Sequence, residues 1–283
     1  MTSNTPTAAH PDPRPDAASG TPRMATAVDW IAHFHANADR HRTPEELIPD
    51  DAPSPMDART RRAFIRSFQR FALGESGDGM HLLRMATAAG DPAYTHALAL
   101  LVQEEQKHVA LFLRALDHLD APALPAHWTD AAFTRLRHLI GLRTEISLFL
   151  IAETVATGYF HALADHAPDP ALRALGQRIA DDERDHVRFQ IDRLRTGFRD
   201  TPAPLRALIG AAWTVVAAGA AIVIVVDHRA ALRACGVAPR AYWGQGMRDF
   251  GAAARSVLVD PRAPLLGPAD AGSSGSPRTG GQS

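Results

Sequence analysis

Lysine is all but missing from this chain: Lys107 is the single one among 30 basic residues. Arginine and alanine abound instead, a bias we read as genomic base composition without bearing on function. Cysteine is equally scarce. Cys235 stands alone, which excludes an intrachain disulfide framework and any Cys-x-x-Cys metal module, and fits a reducing, cytoplasmic setting. Neither sign of charge is in excess. The net charge is −1 and the isoelectric point is near 6.9, so no overall basic field points to nucleic acid or to acidic membranes. Tyr94, Tyr159 and Tyr242 are the only tyrosines, too scattered to argue a radical role. The first residues lack an apolar run, so no secretory signal is expected there.

Apolar residues are plentiful, 46% of 283, enough to fill a sizeable core. Residues 1–24 and 259–283, rich in small residues and proline, cannot bury enough surface to offset their ordering entropy and are expected to be disordered tails. Between them, residues 25–258 are expected to form a single all-α domain. A lead-in helix over 27–40 carries Trp30, Ile31 and Phe34 at helical spacing, and a proline-broken linker follows through Pro55. Four long helices then occupy about 56–89, 92–119, 130–166 and 169–199, making a bundle over about 56–199. Extra helices fill about 205–257.

Two stretches in this plan need separate comment. Gly74, Gly77 and Gly79 weaken the first bundle helix, since a glycine in a helix interior costs about 1 kcal/mol against alanine. A bend there either admits a small molecule or lets another helix approach closely. Residues 207–226 hold no charge over 20 positions, long enough to cross a bilayer. Much of the stretch is alanine and glycine, and arginine flanks both ends. A buried fifth helix closing the bundle is therefore favoured over a membrane-embedded or membrane-touching one.

The chemistry lies in a repeat. LVQEEQKHVA holds Glu105 and His108, and IADDERDHVR holds Glu183 and His186; each Glu-x-x-His pair shares one face of a helix. Glu75, in FALGE, stands 30 positions before Glu105, and Glu153, in FLIAE, stands 30 before Glu183. The offset between the two sets is 78 throughout, the register of two copies of one helical hairpin. Phe68 and Phe71 flank Glu75 at helical spacing, Leu101 and Val109 flank Glu105, Phe149 and Phe160 flank Glu153, and Ile179 and Val187 flank Glu183. The acids therefore lie on the core stripe.

Burying ionised carboxylates without compensation is costly. Two divalent cations balance four carboxylates if both histidines stay neutral, so Glu75, Glu105, His108, Glu153, Glu183 and His186 are the expected ligands of a dinuclear site. Glu145 competes with Glu153 but lies about 80° around the helix from it, and Asp78, one turn on, is the rival of Glu75. Glu104 and Asp182 precede the two ligand glutamates and are placed to accept an Nδ1 proton from a histidine across the bundle. For Glu104 a solvent-facing charge is the competing reading. His81, His96, His161 and His228 are read as ordinary polar residues, with an additional ligand among them as the alternative.

This pattern resembles that of the ferritin-like di-iron carboxylate proteins, in which two helices give one Glu each and two others give Glu-x-x-His. EEQKH and DERDH are similar to the paired signatures of soluble acyl desaturases, rubrerythrins and aldehyde-deformylating enzymes, over about residues 58–195. The resemblance implies a ferritin-like four-helix bundle with two iron ions, manganese or a mixed Fe/Mn pair being the alternatives, and favours Asp182 as the acceptor for His108. The expected function is an O2-activating oxidase or oxygenase acting on a small organic substrate, with an external electron donor. Alternatives are a ferroxidase, iron-handling or peroxide-scavenging protein, and a metal-free helical interaction protein. The lone cysteine argues against a rubrerythrin, whose rubredoxin-type iron module it cannot build. No nucleic-acid partner is expected. A homodimer and membrane contact through 207–226 stay open.

Overall fold

The computed structural model describes residues 26–50, 53–75, 77, 79–124 and 141–268. Among these residues there are nine helices and no strand, so the chain is all-α. In order they are α1 (Ala27–Arg40), α2 (Pro44–Leu47), α3 (Ala58–Gly74), α4 (Met80–Ala88), α5 (Pro92–His118), α6 (Gly141–His166), α7 (Pro170–Phe198), α8 (Ala203–Ala234) and α9 (Pro239–Leu258). The expected tail at 1–24, the part of the expected 259–283 tail from 269 on, the expected helix start over 130–140, and Asp78 lie outside the described residues.

Local signals start the helices. Thr26 and Asp29 cap α1 reciprocally, and Asp57 accepts the N–H groups of Arg59 and Thr60 at the head of α3. Asp91 and Asp169 cap α5 and α7, each followed by a proline in the first turn, where the missing N–H has no helical partner to lose. These Asp-Pro starts are again 78 apart, so the hairpin repeat extends to the caps. His118 Nε2 also sits 2.9 Å from Asp169 Oδ2, tying the end of α5 to the start of α7.

The helix expected over 56–89 is two helices. α3 ends at Gly74 with Glu75 as its C-cap, and α4 begins after Gly79, whose φ is +65°. Glycine is needed at that position for two reasons: the left-handed backbone disfavours a side chain, and a Cβ would stand 2.6 Å from Val102 Cγ1 on α5. The glycines thus break the helix outright and bring α4 back against α5.

α6 and α7 form the most extensive helix pair. Gly176 permits it, because a Cβ there would meet Leu163 Cβ at 2.6 Å and Phe160 O at 2.9 Å. Two apolar clusters divide the interior. One contains Trp30, Phe34, Leu98, Leu101, Ile146, Leu150 and Phe189; the other contains Phe64, Phe68, Phe71, Phe112, Phe160, Leu175 and Ile179. Along α5 and α7 the polar stretches 104–108 and 182–186 fall between them, and on α6 Glu153 stands among residues of the first, between Ile151 and Val155. The lead-in helix α1 packs on α5, as expected, with Trp30 and Phe34 buried.

Two further expectations change. Both α6 and α8 are long and apolar enough to cross a membrane, but the apolar window of α6 is 61% buried and that of α8 only 17%. Residues 207–226 are therefore not a buried fifth helix. They pack by one side through Trp213, Ala217 and Ala221 and leave the other uncovered; a uniformly apolar stretch carries no pattern to say which side, or how much of it, neighbours will cover. The stretch assigned to the C-terminal tail also begins as a bound strap: the Leu266 and Gly267 N–H groups donate to Asp192 at 2.6 and 2.9 Å, and Arg195 donates to Pro264 O at 2.7 Å.

Candidate metal centre

Four helices deliver the six expected ligands to one place. α5 brings Glu105 and His108 and α7 brings Glu183 and His186, on facing sides. α6 brings Glu153, and Glu75 comes from the C-cap of α3. Two groups have ligand atoms within 4.8 Å of one another: Glu75, Glu105, His108 and Glu183 in one, and Glu153, Glu183 and His186 in the other. Glu183 belongs to both.

The histidine Nδ1 atoms face the cluster. His108 Nδ1 lies 3.6 Å from both Glu105 Oε2 and Glu183 Oε1 and 3.9 Å from Glu75 Oε2. His186 Nδ1 lies 2.7 Å from Glu105 Oε1 and 3.9 Å from Glu183 Oε2. Both rings are fully buried. The opposite nitrogens are held from behind, His108 Nε2 donating to Asp182 Oδ2 at 2.9 Å and His186 Nε2 to Glu104 Oε2 at 3.0 Å. This corrects the sequence reading in two respects. Asp182 and Glu104 take the Nε2 protons, because Nδ1 is the nitrogen turned toward the carboxylates; and Glu104, 2% exposed, does not face solvent.

A buried polar atom without a partner calls for a ligand. Glu75 Oε2, Glu105 Oε1, Glu183 Oε2, His108 Nδ1 and His186 Nδ1 are buried and make no hydrogen bond of acceptable geometry, the close Glu105–His186 approach included. All five belong to the two groups above. A proton on each Nε2 leaves each Nδ1 lone pair directed inward. Carboxylate oxygen and imidazole nitrogen are ligands for divalent transition metals, so the residues fit a metal cluster.

Without cations the charges are managed by protons. Burial pushes Glu75 and Glu153 up to about 8, with neighbouring carboxylates adding to the effect and the histidines opposing it. Burial likewise raises Glu183, helped by Glu105 and Glu153. Glu105 goes the other way: burial works against its ionisation, but the positive charges of His186 and His108 close beside it outweigh that. Both histidines, in spite of burial, are raised well above their ordinary value, His108 by Asp182 and Glu105 and His186 by Glu105 and Glu104. Two histidinium ions and protonated glutamates hold the place that metal charge would fill.

The alternatives to the six residues go elsewhere. Glu145 is buried and pairs with His81, Oε2 to Nδ1 at 3.0 Å. His228 is buried against Ser67, Nδ1 to Oγ at 2.7 Å. His96 and His161 are exposed, and none of these four histidines joins either group among the described residues.

Three residues at the site were not anticipated. Gln190 donates from Nε2 to Glu153 Oε2 at 2.6 Å; it stands two turns after Glu183 on the same face, a spacing that would have found it. His41, between α1 and α2, reaches Asp182 Oδ1 at 3.2 Å, and Arg178 donates from Nε to Asp182 Oδ2 at 2.8 Å. Access is one-sided. His108, His186 and Glu183 are sealed, whereas Glu75 and Glu105 keep 18% and 20% of their side chains exposed.

Compared with models of protein families the chain matches none, and no curated protein matches it. The class of site is therefore stated from geometry: a buried carboxylate–histidine cluster at metal-binding distances in an all-α protein.

Proposed function

We propose that the chain is a ferritin-like dinuclear-metal protein, and that it works as a di-iron oxidase or oxygenase that uses O2 and an external electron donor to oxidise a small organic substrate. The observation that carries the reading is the convergence of five orphaned, buried ligand atoms in two groups that share Glu183. Two groups with a common carboxylate suit two ions with a bridging ligand, as in the family whose register the sequence resembles. Bound iron would supply electrons and open coordination positions for O2. The chain's own residues hold and shield that chemistry. Asp182 and Glu104 fix the histidine tautomers, Gln190 orients Glu153, and the apolar clusters on either side keep water from the sealed half. The part-exposed edge at Glu75 and Glu105 is where small molecules would enter.

Metal analysis and oxygen uptake test this together. Purified protein loaded anaerobically with Fe²⁺ should retain about two ions per chain. Glu183→Ala, which removes the shared ligand, should lower that to below about one. With excess reductant, O2 consumption should continue well beyond one turnover per site. Uptake that tracks added Fe²⁺ alone would replace the oxygenase reading with a ferroxidase. An unchanged metal content in Glu183→Ala would remove the site.

A further inference from the structure

The uncovered side of α8 is unlike the rest of the surface. α8 packs against α3, α6 and α9, and turns Leu208 (67% exposed), Val215 (74%), Ile222 (53%), Val223 (42%) and Val226 (62%) to the outside. These positions follow helical spacing along one face, and no charge interrupts the run from Ala207 to Val226. At 1.5 Å per residue the strip is about 30 Å long. Isolated exposed apolar residues need no explanation, but a continuous strip of this length marks an interaction surface.

Its frame identifies what it fits. The near-zero net charge of the chain conceals a segregation: α3 carries five arginines and no acid, and α8 and α9 each carry three arginines and one acid. Arg59, Arg62 and Arg66 are exposed on the stripe of α3 that continues to Arg70, and Arg70 Nη1 reaches Asp227 of α8 at 2.6 Å. The arginine stripe therefore meets the apolar strip at its C-terminal end, where the core residues of α3 cluster with Ala231, Leu232 and Cys235. Arg229 and Arg233 extend it at the C-terminal end of α8, and Trp243 of α9 stands 40% exposed. A second copy is a poor occupant in the parallel two-fold arrangement, which sets the arginine-rich C-terminal end of α8, with Arg229, Arg233 and the α3 stripe beside it, against the same end of its copy. An apolar strip framed by arginines, with an amphipathic Trp on a flanking helix, matches the boundary between acyl chains and anionic headgroups.

Crossing the bilayer is incompatible with the packing. α9 packs along α8, with Arg206 Nε donating to Leu258 O at 2.7 Å at the start of the run, so a spanning α8 would carry α9, with its exposed Arg248, Asp249 and Arg255, into hydrocarbon. We propose that α8, with the flanking arginines of α3, is a peripheral membrane-binding face that lies in the plane of an anionic bilayer. The proposal is independent of the metal reading.

Flotation of the full chain with extruded vesicles tests it, using phosphatidylcholine alone and phosphatidylcholine with about a third phosphatidylserine. Binding should be at least about tenfold tighter to the anionic vesicles and should weaken as salt is added. A Val215→Glu/Ile222→Glu variant and a separate Arg59→Glu/Arg62→Glu/Arg66→Glu variant should each lose about tenfold or more. All five positions are exposed, and an unchanged circular dichroism spectrum checks that each variant folds. Equal binding to the two vesicle types, or none, would overturn the proposal. So would a solution dimer that Val215→Glu/Ile222→Glu dissociates, or protein that alkaline carbonate fails to strip from the vesicles.

Discussion

Asp182 of α7 accepts the Nε2 proton of His108 of α5 at 2.9 Å, and the same oxygen accepts from Arg178 Nε at 2.8 Å. A carboxylate so placed orients the ring and makes its other nitrogen a better donor to a cation. Asp182→Asn keeps the shape but loses the charge, and Asp182→Leu leaves the buried Nε2–H without an acceptor. We expect metal affinity to fall about 10–100-fold in Asp182→Asn and further in Asp182→Leu. Chelator competition, with the visible spectrum of a Co²⁺-loaded sample as a report on ligand geometry, measures this. Equal affinities in wild type and Asp182→Asn would deny Asp182 the role.

Metal uptake should expel protons. In the metal-free cluster both histidines are raised well above their ordinary value and Glu75 and Glu153 are pushed up to about 8, so near neutral pH these groups hold protons that a cation must displace. The sign follows: raised values mean competition by protons grows as pH falls, so affinity for Fe²⁺ or Co²⁺ should rise from pH 6 to pH 8. An indicator dye in weakly buffered protein should register acid release on metal addition. Affinity that does not vary over that range would contradict the assignment of these groups.

The register of 78 made the six clustered residues legible, because identical spacing in two hairpins constrains side chains to matching faces before any coordinates exist. The same register also showed where the halves differ. The position 78 before Gln190 is Phe112, so one half offers Glu153 a hydrogen-bond donor where the other buries a ring. What pattern could not supply was direction between elements distant in sequence. His41 meets Asp182 only because α1 folds across α5, and the choice of Nε2 over Nδ1 depends on the height at which α5 and α7 face each other. The exposure of α8 was hidden for a related reason: burial belongs to the neighbours, and residues 207–226 are apolar all around.

Gly79 and Gly74 should respond oppositely to alanine. At Gly79 an added Cβ meets Val102 at 2.6 Å and the backbone is left-handed, with φ +65°. At Gly74, the last residue of α3, nothing lies within 4 Å. Gly79→Ala should destabilise by about 1–3 kcal/mol, whereas Gly74→Ala should be neutral or stabilise by up to about 1 kcal/mol. Urea unfolding of the two variants beside the wild type decides it. A Gly79→Ala protein as stable as wild type would mean that the break between α3 and α4 does not need its glycine.

His228 sets a pH dependence that is separable from the metal cluster. Burial, with a smaller effect from the Arg70 charge, holds it down to about 3, and its Nδ1 sits 2.7 Å from Ser67 Oγ, which in turn donates to Tyr159. The unfolded chain takes up this proton near its ordinary value of 6.5, whereas the folded chain refuses it until about 3. Its contribution is therefore complete above about 6.5 and is lost as pH falls toward 3, at up to about 1.4 kcal/mol per pH unit. His228→Phe removes that dependence while keeping an aromatic ring against Phe71, whose ring centroid lies 4.3 Å from the imidazole. Comparing metal-free wild type with His228→Phe cancels the titration of the cluster, which both share. The stability difference between them should move by about 2 kcal/mol in favour of the variant from pH 7 to pH 5. A difference that stays constant over that range would mean that the imidazole titrates alike in the folded and unfolded chains.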